Sequence, residues 1–521
     1  MAKNPLTADN KSKYAIRIEN IVSSLKKSEI NARSLDNISI KIRKGEIYGL
    51  TGESNSGKTV LADSIVNMIP DQNGMVESGR VVLDDMNLLY YFENKKQRFS
   101  LSRIKDGKNK NSTAINAKNK PKRYDELMGE IRGKRISYMM QDSFRSLNPS
   151  LTLGEHMVEV LQKHRIPELG SSILKKSSIS RESMVDFTEE ARGIKNRERR
   201  KAFIQNFVES YGLESHISEI YSLLENDLDS EMLVSRFLSR VKVDLNERQI
   251  KQVKKMSDFY GTISRRNIMK LRMNAGDPDE AIEIEKQIKG MDKDINKKYL
   301  GLKISLPLTG RSLMKVFRKE ALSFSIETLR SMEIERPELL VNRYPDELPP
   351  GLRHLCLFGL AIVSSPEFVI LDEPTSSMDA FTQTKLLESV RKFSENENIS
   401  FLYITNEMPL LAGLAGRVGI LYAGNLIEQS TTFEIFNSSK HPFTINYLAS
   451  SKINKENPGS NVSMEFAQGE QPDIVNPPSG CKFHPRCKFA MDVCSVKVPA
   501  LVEVSKNHRV ACFLYSDKSE A

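Results

Sequence analysis

Gly52-Glu53-Ser54-Asn55-Ser56-Gly57-Lys58-Thr59 decides how this chain is read. The spacing G-x-x-x-x-G-K-S/T is that of a phosphate-binding loop. Its neighbours fit. The apolar β-type run Ile47-Tyr48-Gly49-Leu50 precedes it, and the helix-compatible run Val60–Val66 follows. Glycines let the backbone curl so that N–H groups face phosphates, and the helix N-terminus adds partial positive charge. The whole stretch from Gly52 to Val60 is therefore the candidate phosphate cradle. Lys58 is placed to reach the β- and γ-phosphates, and the Thr59 hydroxyl to ligate Mg²⁺.

Such a loop needs a second strand that delivers a carboxylate to the metal. Phe368-Val369-Ile370-Leu371-Asp372-Glu373-Pro374 supplies one. Four apolar residues in a row read as a strand buried on both faces of a parallel sheet. Asp372 at its end is the candidate Mg²⁺ carboxylate. Glu373 beside it is placed to polarise a water.

From here a family resemblance is carried by specific text. Asp372-Glu373-Pro374-Thr375-Ser376-Ser377-Met378-Asp379 resembles the Walker B and D-loop of ABC ATPases, with Asp379 in the D-loop. Ile136-Ser137-Tyr138-Met139-Met140-Gln141-Asp142 resembles their Q-loop, whose Gln141 approaches Mg²⁺ and the attacking water. Ser146-Leu147-Asn148-Pro149, Leu151–Glu155, Arg417–Glu428, His441-Pro442-Phe443-Thr444 and Gly480-Cys481-Lys482-Phe483-His484-Pro485-Arg486-Cys487 are similar to the oligopeptide/dipeptide permease branch. The resemblance covers roughly residues 15–95, 125–165 and 315–515, and points to a D-type ATP-binding subunit. It implies a transport-coupled ATPase using ATP and Mg²⁺, with Glu373, Gln141 and the residue at 406 around the chemistry. It also implies a second ABC ATPase subunit as a heterodimer partner, two transmembrane permease subunits and, indirectly, an extracellular peptide-binding protein. The expected place is peripheral, on the cytoplasmic face of the cell membrane.

Three departures from the family matter. Its Leu-Ser-Gly-Gly signature is here Leu348-Pro349-Pro350-Gly351. Pro349 brings no hydroxyl, and neither proline has an N–H for the γ-phosphate held by the other subunit. The family's switch histidine is Asn406, in Ile404-Thr405-Asn406-Glu407. An amide donates a neutral hydrogen bond but carries no proton or charge. Leu25 aligns with the aromatic that stacks on adenine. An asymmetric pair with slow or unequal hydrolysis is expected. The alternative is a regulatory half that binds nucleotide and hydrolyses little. A soluble repair or translation ABC protein fits poorly, since one P-loop is present and sustained heptads are not.

The 521 residues are too many for one ordinary domain. The fold expected is α/β: a RecA-like P-loop ABC nucleotide-binding domain with an antiparallel β-subdomain. It would be formed by 1–165 and 315–450, with a loop at 94–122. A mostly helical insertion at 165–315 would enlarge the helical subdomain. A small Cys-containing C-terminal module would occupy 450–521, entered through a linker over Ser450–Gly480. Strands are expected at Ala15–Ile21, Ile38–Ile42, Ile47–Thr51, Arg135–Met140, Phe368–Asp372, Ser400–Thr405 and Val418–Tyr422. In the insertion, Arg197–Tyr211, Glu231–Val241, Asn246–Tyr260 and Pro278–Met291 read as helices, and Lys319–Met332 follows as an amphipathic one.

The net charge is +10, with basic runs at Lys105–Lys122 and Lys195–Lys201. They lack interleaved aromatics and no nucleic-acid fold motif appears, so solvated loops are the preferred reading, then a membrane surface. No nucleic-acid partner is expected. No stretch approaches the apolar length of a membrane-spanning helix, and Met1–Lys13 has no signal-peptide core. Cys481, Cys487, Cys494 and Cys512 cluster late, while Cys356 sits alone in an apolar run as a core thiol. In a reducing compartment the cluster suggests metal rather than disulfides. A [4Fe-4S] cluster, which some members of the branch carry on this motif, stands beside zinc and metal-free thiols as the readings. His484 and His508 read as packing or capping residues.

Overall fold

The computed structural model describes residues 13–27, 30–69, 74–84, 86–89, 128–141, 147–225, 230–273, 278–305, 310–376, 378–456, 471–473 and 476–515. The expected 94–122 loop lies outside them, as do Asp142, Ser146 and Ser377.

The chain opens with β1 (Tyr14–Lys27), β2 (Ile30–Arg43), β3 (Ile47–Thr51), α1 (Lys58–Ile65), β4 (Gly74–Leu83), β5 (Met86–Asn87) and β6 (Ile136–Met139). Helices follow: α2 (Leu153–His164), α3 (Ile166–Ser177), α4 (Arg181–Gly193), α5 (Arg197–Tyr211), α6 (Ile217–Glu225), α7 (Ser230–Val241), α8 (Glu247–Met273), α9 (Pro278–Ser305), α10 (Gly310–Ser331), α11 (Pro337–Leu340) and α12 (Pro350–Ile362). The chain then runs through β7 (Phe368–Asp372), α13 (Ala380–Glu397), β8 (Ser400–Ile404), α14 (Met408–Ala412), β9 (Arg417–Tyr422), β10 (Asn425–Thr431), α15 (Thr432–Ser438) and α16 (Pro442–Glu456). It ends with α17 (Asp492–Val496), β11 (Val502–Ser505) and β12 (His508–Val510).

Two sheets organise the molecule. One is antiparallel, in the order β2-β1-β4-β5. The other runs β11-β12-β10-β9-β3-β8-β7-β6, and from β9 to β6 its pairs are parallel. β3, β7 and β8 are buried at every position. That explains their unbroken apolar text, because helices cover both faces of a parallel sheet. One apolar cluster fills the side of this sheet facing α1 and the antiparallel sheet; another fills the opposite side. Cys356 is buried within the latter, and burial pushes its thiol up to about 12.

The described residues between 166 and 305 are mostly helical, as the charge and apolar spacing suggest, and α4 to α7 close over an apolar cluster of their own. α8 and α9 outrun the expected helices: α8 continues through Gly261 to Met273 and α9 to Ser305. The extension has a purpose in packing. Leu271 of α8 joins the cluster beneath the antiparallel sheet, and Asn267 and Ser264 bond Glu130 ahead of β6 at 3.2 and 3.0 Å. So this segment folds back onto the core rather than only projecting from it. α3 and α10 are joined by a buried ion pair, with Lys176 Nζ 2.7 Å from Glu320 Oε1.

Two expectations near the C-terminus change. The first residues of the expected Ser450–Gly480 linker are helical, because α16 carries the chain to Glu456. The cysteine segment is also more than an appendage. Its β11–β12 hairpin extends the main sheet, with β12 antiparallel to β10. Buried Glu428 of β10 accepts from His508 Nε2 at 2.7 Å and from the backbone N–H of His441 at 3.0 Å. His508 thus packs and pairs, as its position suggests. His484 turns its Nδ1 to the Cys481 carbonyl at 2.9 Å.

Candidate functional site

β3 ends at Thr51, and the chain curls through six residues before α1 begins at Lys58. Two glycines make the curl sterically possible. Gly52 has φ +151°, and a Cβ there would sit 2.1 Å from the Leu421 carbonyl oxygen. Gly57 has φ +102°, with the Ser34 carbonyl 2.8 Å from its virtual Cβ. Any larger residue at either place would push the loop off β9 or β2.

The Lys58 ammonium lies at the centre of the curl. It donates to the carbonyls of Gly52 and Glu53, each at 2.9 Å, and to Ser56 Oγ at 3.3 Å. Burial lowers its pKa to about 8, against the opposing pull of Glu373, Asp372 and Glu53. The loop forms one wall of a cleft of about 510 Å³, together with Leu25, Ala32, Ser34, Gln141, Glu373 and Asn406. Leu25 thus lines the cleft beside the loop.

β7 delivers the acids. Asp372 is buried, and its Oδ1 has no hydrogen-bond partner among the described residues. Tyr138 donates to its Oδ2 at 3.4 Å. Burial raises the Asp372 pKa to about 6, with the Thr59 hydroxyl bond pulling downward and the charges of Glu373 and Asp63 pushing up. A buried carboxylate with an open oxygen, next to a threonine hydroxyl, is a donor set that suits Mg²⁺. Thr59 and Asp372 would hold the ion, with Gln141 beside them.

Glu373 follows in the left-handed region at φ +47°, its N–H bonded to the Ile404 carbonyl at 2.9 Å. That turn aims its carboxylate into the cleft, where two neutral amides hold it. Gln141 Nε2 donates to Oε2 at 2.6 Å, and Asn406 Nδ2 donates to Oε1. The structure thus brings Lys58, Thr59, Gln141, Asp372, Glu373 and Asn406 to one place. Leu348, Pro349, Pro350 and Gly351 do not line this cleft. Pro349 caps α12 and Pro350 opens it, while Gly351 packs toward Thr382 and Asp379. Asp379 caps α13 through the Thr382 N–H at 2.9 Å.

Sequence reasoning missed three contributors. Tyr447 of α16 donates to the Asn406 carbonyl at 2.6 Å and reaches the Gly52 carbonyl at 3.4 Å, tying the switch position to the loop. Asp63 of α1 adds its charge near Asp372 and Tyr138. Arg486 pairs with Glu53. Only a three-dimensional fold reveals these partners, although Asp63 lies one helical turn past Thr59.

Cys481, Cys487, Cys494 and Cys512 line one narrow cavity with Phe483, Phe489 and Phe513. Burial pushes the Cys481 thiol up to about 11, and burial likewise raises Cys487 and Cys512. All four are free thiols. Among the described residues, no three His, Cys, Asp or Glu side chains close around a single metal ion.

A glycine-curled loop between a buried parallel strand and a helix, faced by an aspartate–glutamate pair from the next strand but one, defines a P-loop nucleotide-binding cassette. The chain belongs to the ABC transporter family, whose profile matches residues 35–376. A second profile, the oligopeptide/dipeptide transporter C-terminal region, matches residues 427–494. Over 201 residues the chain is 34% identical to the dipeptide transport ATP-binding protein DppD of Caldanaerobacter subterraneus subsp. tengcongensis, covering 38% of this chain and 60% of that protein. It is 31% identical over 201 residues to the oligopeptide transport ATP-binding protein AppD of Bacillus subtilis, covering 39% of this chain and 60% of that one. The matched regions thus span less than two thirds of these relatives. No described helix is long and apolar enough to cross a membrane.

Proposed function

We propose that this chain is the ATP-binding subunit that powers oligopeptide import through an ABC permease. The observation that carries this reading is the cleft itself. Lys58, Thr59, Gln141, Glu373 and Asn406 line it, and the buried Asp372 stands beside Thr59 with its Oδ1 unpartnered among the described residues. Gly52 to Val60 would wrap the phosphates. Thr59 and Asp372, with Gln141 beside them, would hold Mg²⁺, which would supply charge neutralisation at the phosphates. Glu373 accepts a proton from the attacking water, and Gln141 and Asn406 orient that carboxylate. The similarity to dipeptide and oligopeptide transport ATP-binding proteins supports peptides as cargo.

The partners follow from the same reading: a second ABC ATPase subunit, two transmembrane permease subunits and, through them, an extracellular peptide-binding protein. The chain would sit on the cytoplasmic face of the membrane. We assign residues 1–165 and 315–450 to the ATPase domain, 165–315 to a helical insertion and 450–521 to the cysteine module. The four thiols line one cavity of about 10 Å³ and no three of them close around a metal ion, so their arrangement fits metal-free reduced thiols better than a [4Fe-4S] cluster or zinc. Iron and sulfide analysis of anaerobically purified protein tests this, against Cys487→Ala; stoichiometric iron and sulfide that the variant loses overturns it.

A second reading is favoured by two observations. Asn406 gives Glu373 only a neutral amide, and prolines occupy the first positions of α12. On this reading the chain is the nucleotide-binding regulatory half of an asymmetric pair. ATPase activity of the assembled complex with Glu373→Gln separates the two. A loss of about 10²–10⁴-fold makes this chain a hydrolysing engine. Unchanged turnover makes it the regulatory half.

A further inference from the structure

The cysteine segment and the phosphate-binding loop meet at one ion pair. Arg486 Nη1 lies 3.0 Å from Glu53 Oε2, and Nη2 lies 3.1 Å from Glu53 Oε1. This is a fork-to-carboxylate pair, the strongest geometry such groups adopt. The pair is mostly withdrawn from water, with side chains 13% and 20% exposed. The guanidinium also donates to the Tyr422 hydroxyl at 3.1 Å and stands 5.9 Å from the ring centres of both Tyr422 and Phe483. Its place is therefore fixed from several sides. Glu53 is the second residue of the loop, and Arg486 immediately precedes Cys487. Gln471–Asp473, ahead of the cysteine segment, line a second small cleft with Glu53–Ser56. The outer side of the loop is thus walled by the C-terminal part of the chain.

The charge at Glu53 is otherwise hard to account for. A loop that gathers phosphates works by presenting N–H groups and an ammonium. A bare carboxylate inside it would repel the triphosphate and compete for Lys58, whose ammonium already sits on the Glu53 carbonyl. Arg486 cancels that carboxylate and at the same time fixes the first bend of the loop.

We propose that Arg486 is a positioning residue for the nucleotide: by neutralising Glu53 it keeps the loop open to phosphate, and it makes ATP affinity depend on the folded cysteine segment. The inference rests on reading the cleft as the ATP site. It adds that this site is completed from residues 433 positions downstream.

Equilibrium binding of a fluorescent ATP analogue with Mg²⁺ to the full chain tests it. Arg486→Met weakens binding roughly tenfold, the scale of one charge-assisted pair. Arg486→Lys keeps the charge and loses less. Adding Glu53→Gln to Arg486→Met returns affinity close to that of Glu53→Gln alone, because no carboxylate is left to neutralise. Wild-type affinity in Arg486→Met overturns the proposal. So does a double variant as weak as Arg486→Met, since Arg486 would then only hold the fold. Lys58→Ala is the control for the ATP site. If it binds as tightly as wild type, the reading of the cleft fails, and the Arg486 proposal with it.

Discussion

Asn406 donates its side-chain amide to one oxygen of Glu373, while the carbonyl of the same residue accepts from Tyr447. The switch position is therefore anchored at its backbone and poised at its side chain. What it lacks is a group that carries a proton. Asn406→His supplies one without disturbing the Tyr447 bond. Single-turnover hydrolysis at this chain's site is expected to rise by about tenfold or more. An unchanged rate would mean that Asn406 does not limit the chemistry.

Pro349 occupies the N-cap of α12 with extended backbone angles, a position that serine fills well. Pro349→Ser with Pro350→Gly should fold, because the first helical bond, Arg353 N–H to the Pro349 carbonyl at 2.9 Å, uses neither proline nitrogen. The pair restores a hydroxyl and two N–H groups at the N-terminal end of α12. In the assembled complex turnover rises if the opposing nucleotide uses this helix end. Equal activity with intact melting behaviour would show that it does not.

Binding of Mg²⁺–ATP should have a pH window. Asp372 holds a cation only when ionised, and its pKa is raised to about 6. Lys58 contacts phosphate as an ammonium, and its pKa is lowered to about 8. Below about 6 the carboxyl takes a proton and loses the metal; above about 8 the free protein loses the ammonium, and ATP must bring a proton in with it. Affinity is expected to peak between these values and to weaken on either side, up to tenfold per pH unit in the limit. A titration that is flat from 5.5 to 9 would remove both groups from the binding step.

The Lys176–Glu320 pair tests whether α3 and α10 pack as one rigid unit. Both side chains are buried, and Ser172 Oγ also donates to Glu320 at 2.7 Å. Lys176→Met alone strands a carboxylate and should cost about 3–5 kcal/mol, whereas Lys176→Met with Glu320→Leu should recover most of it. Chemical denaturation reads the difference. Additive losses would mean that the pair is solvated and the helices are loosely docked.

The residues of the candidate site were legible where the pattern is local. Gly52–Thr59 and Phe368–Glu373 carry their meaning in consecutive residues, because a phosphate cradle and a doubly buried strand are each built from one short run. Helix ends were less legible. α8 continues through Gly261, which a helix tolerates at modest cost when Leu271 beyond it finds a core. The contacts that complete the site were not legible. Arg486 reads as one letter of a cysteine motif until the fold sets it against Glu53, and Tyr447 reads as a helix aromatic until it meets Asn406. Nor does the cysteine spacing say that β12 will pair with β10.

The order of strands also sets a timetable. β3 lies between β8 and β9, and neither neighbour is complete until residue 404 or 422 has been made. With ribosomes adding about 5–20 residues per second, the strand that leads into the phosphate loop waits on the order of twenty seconds to over a minute for its partners. During that time its apolar edges stay uncovered, or are held by the antiparallel sheet and by chaperones. The helices between β6 and β7 lengthen that wait in direct proportion to their size.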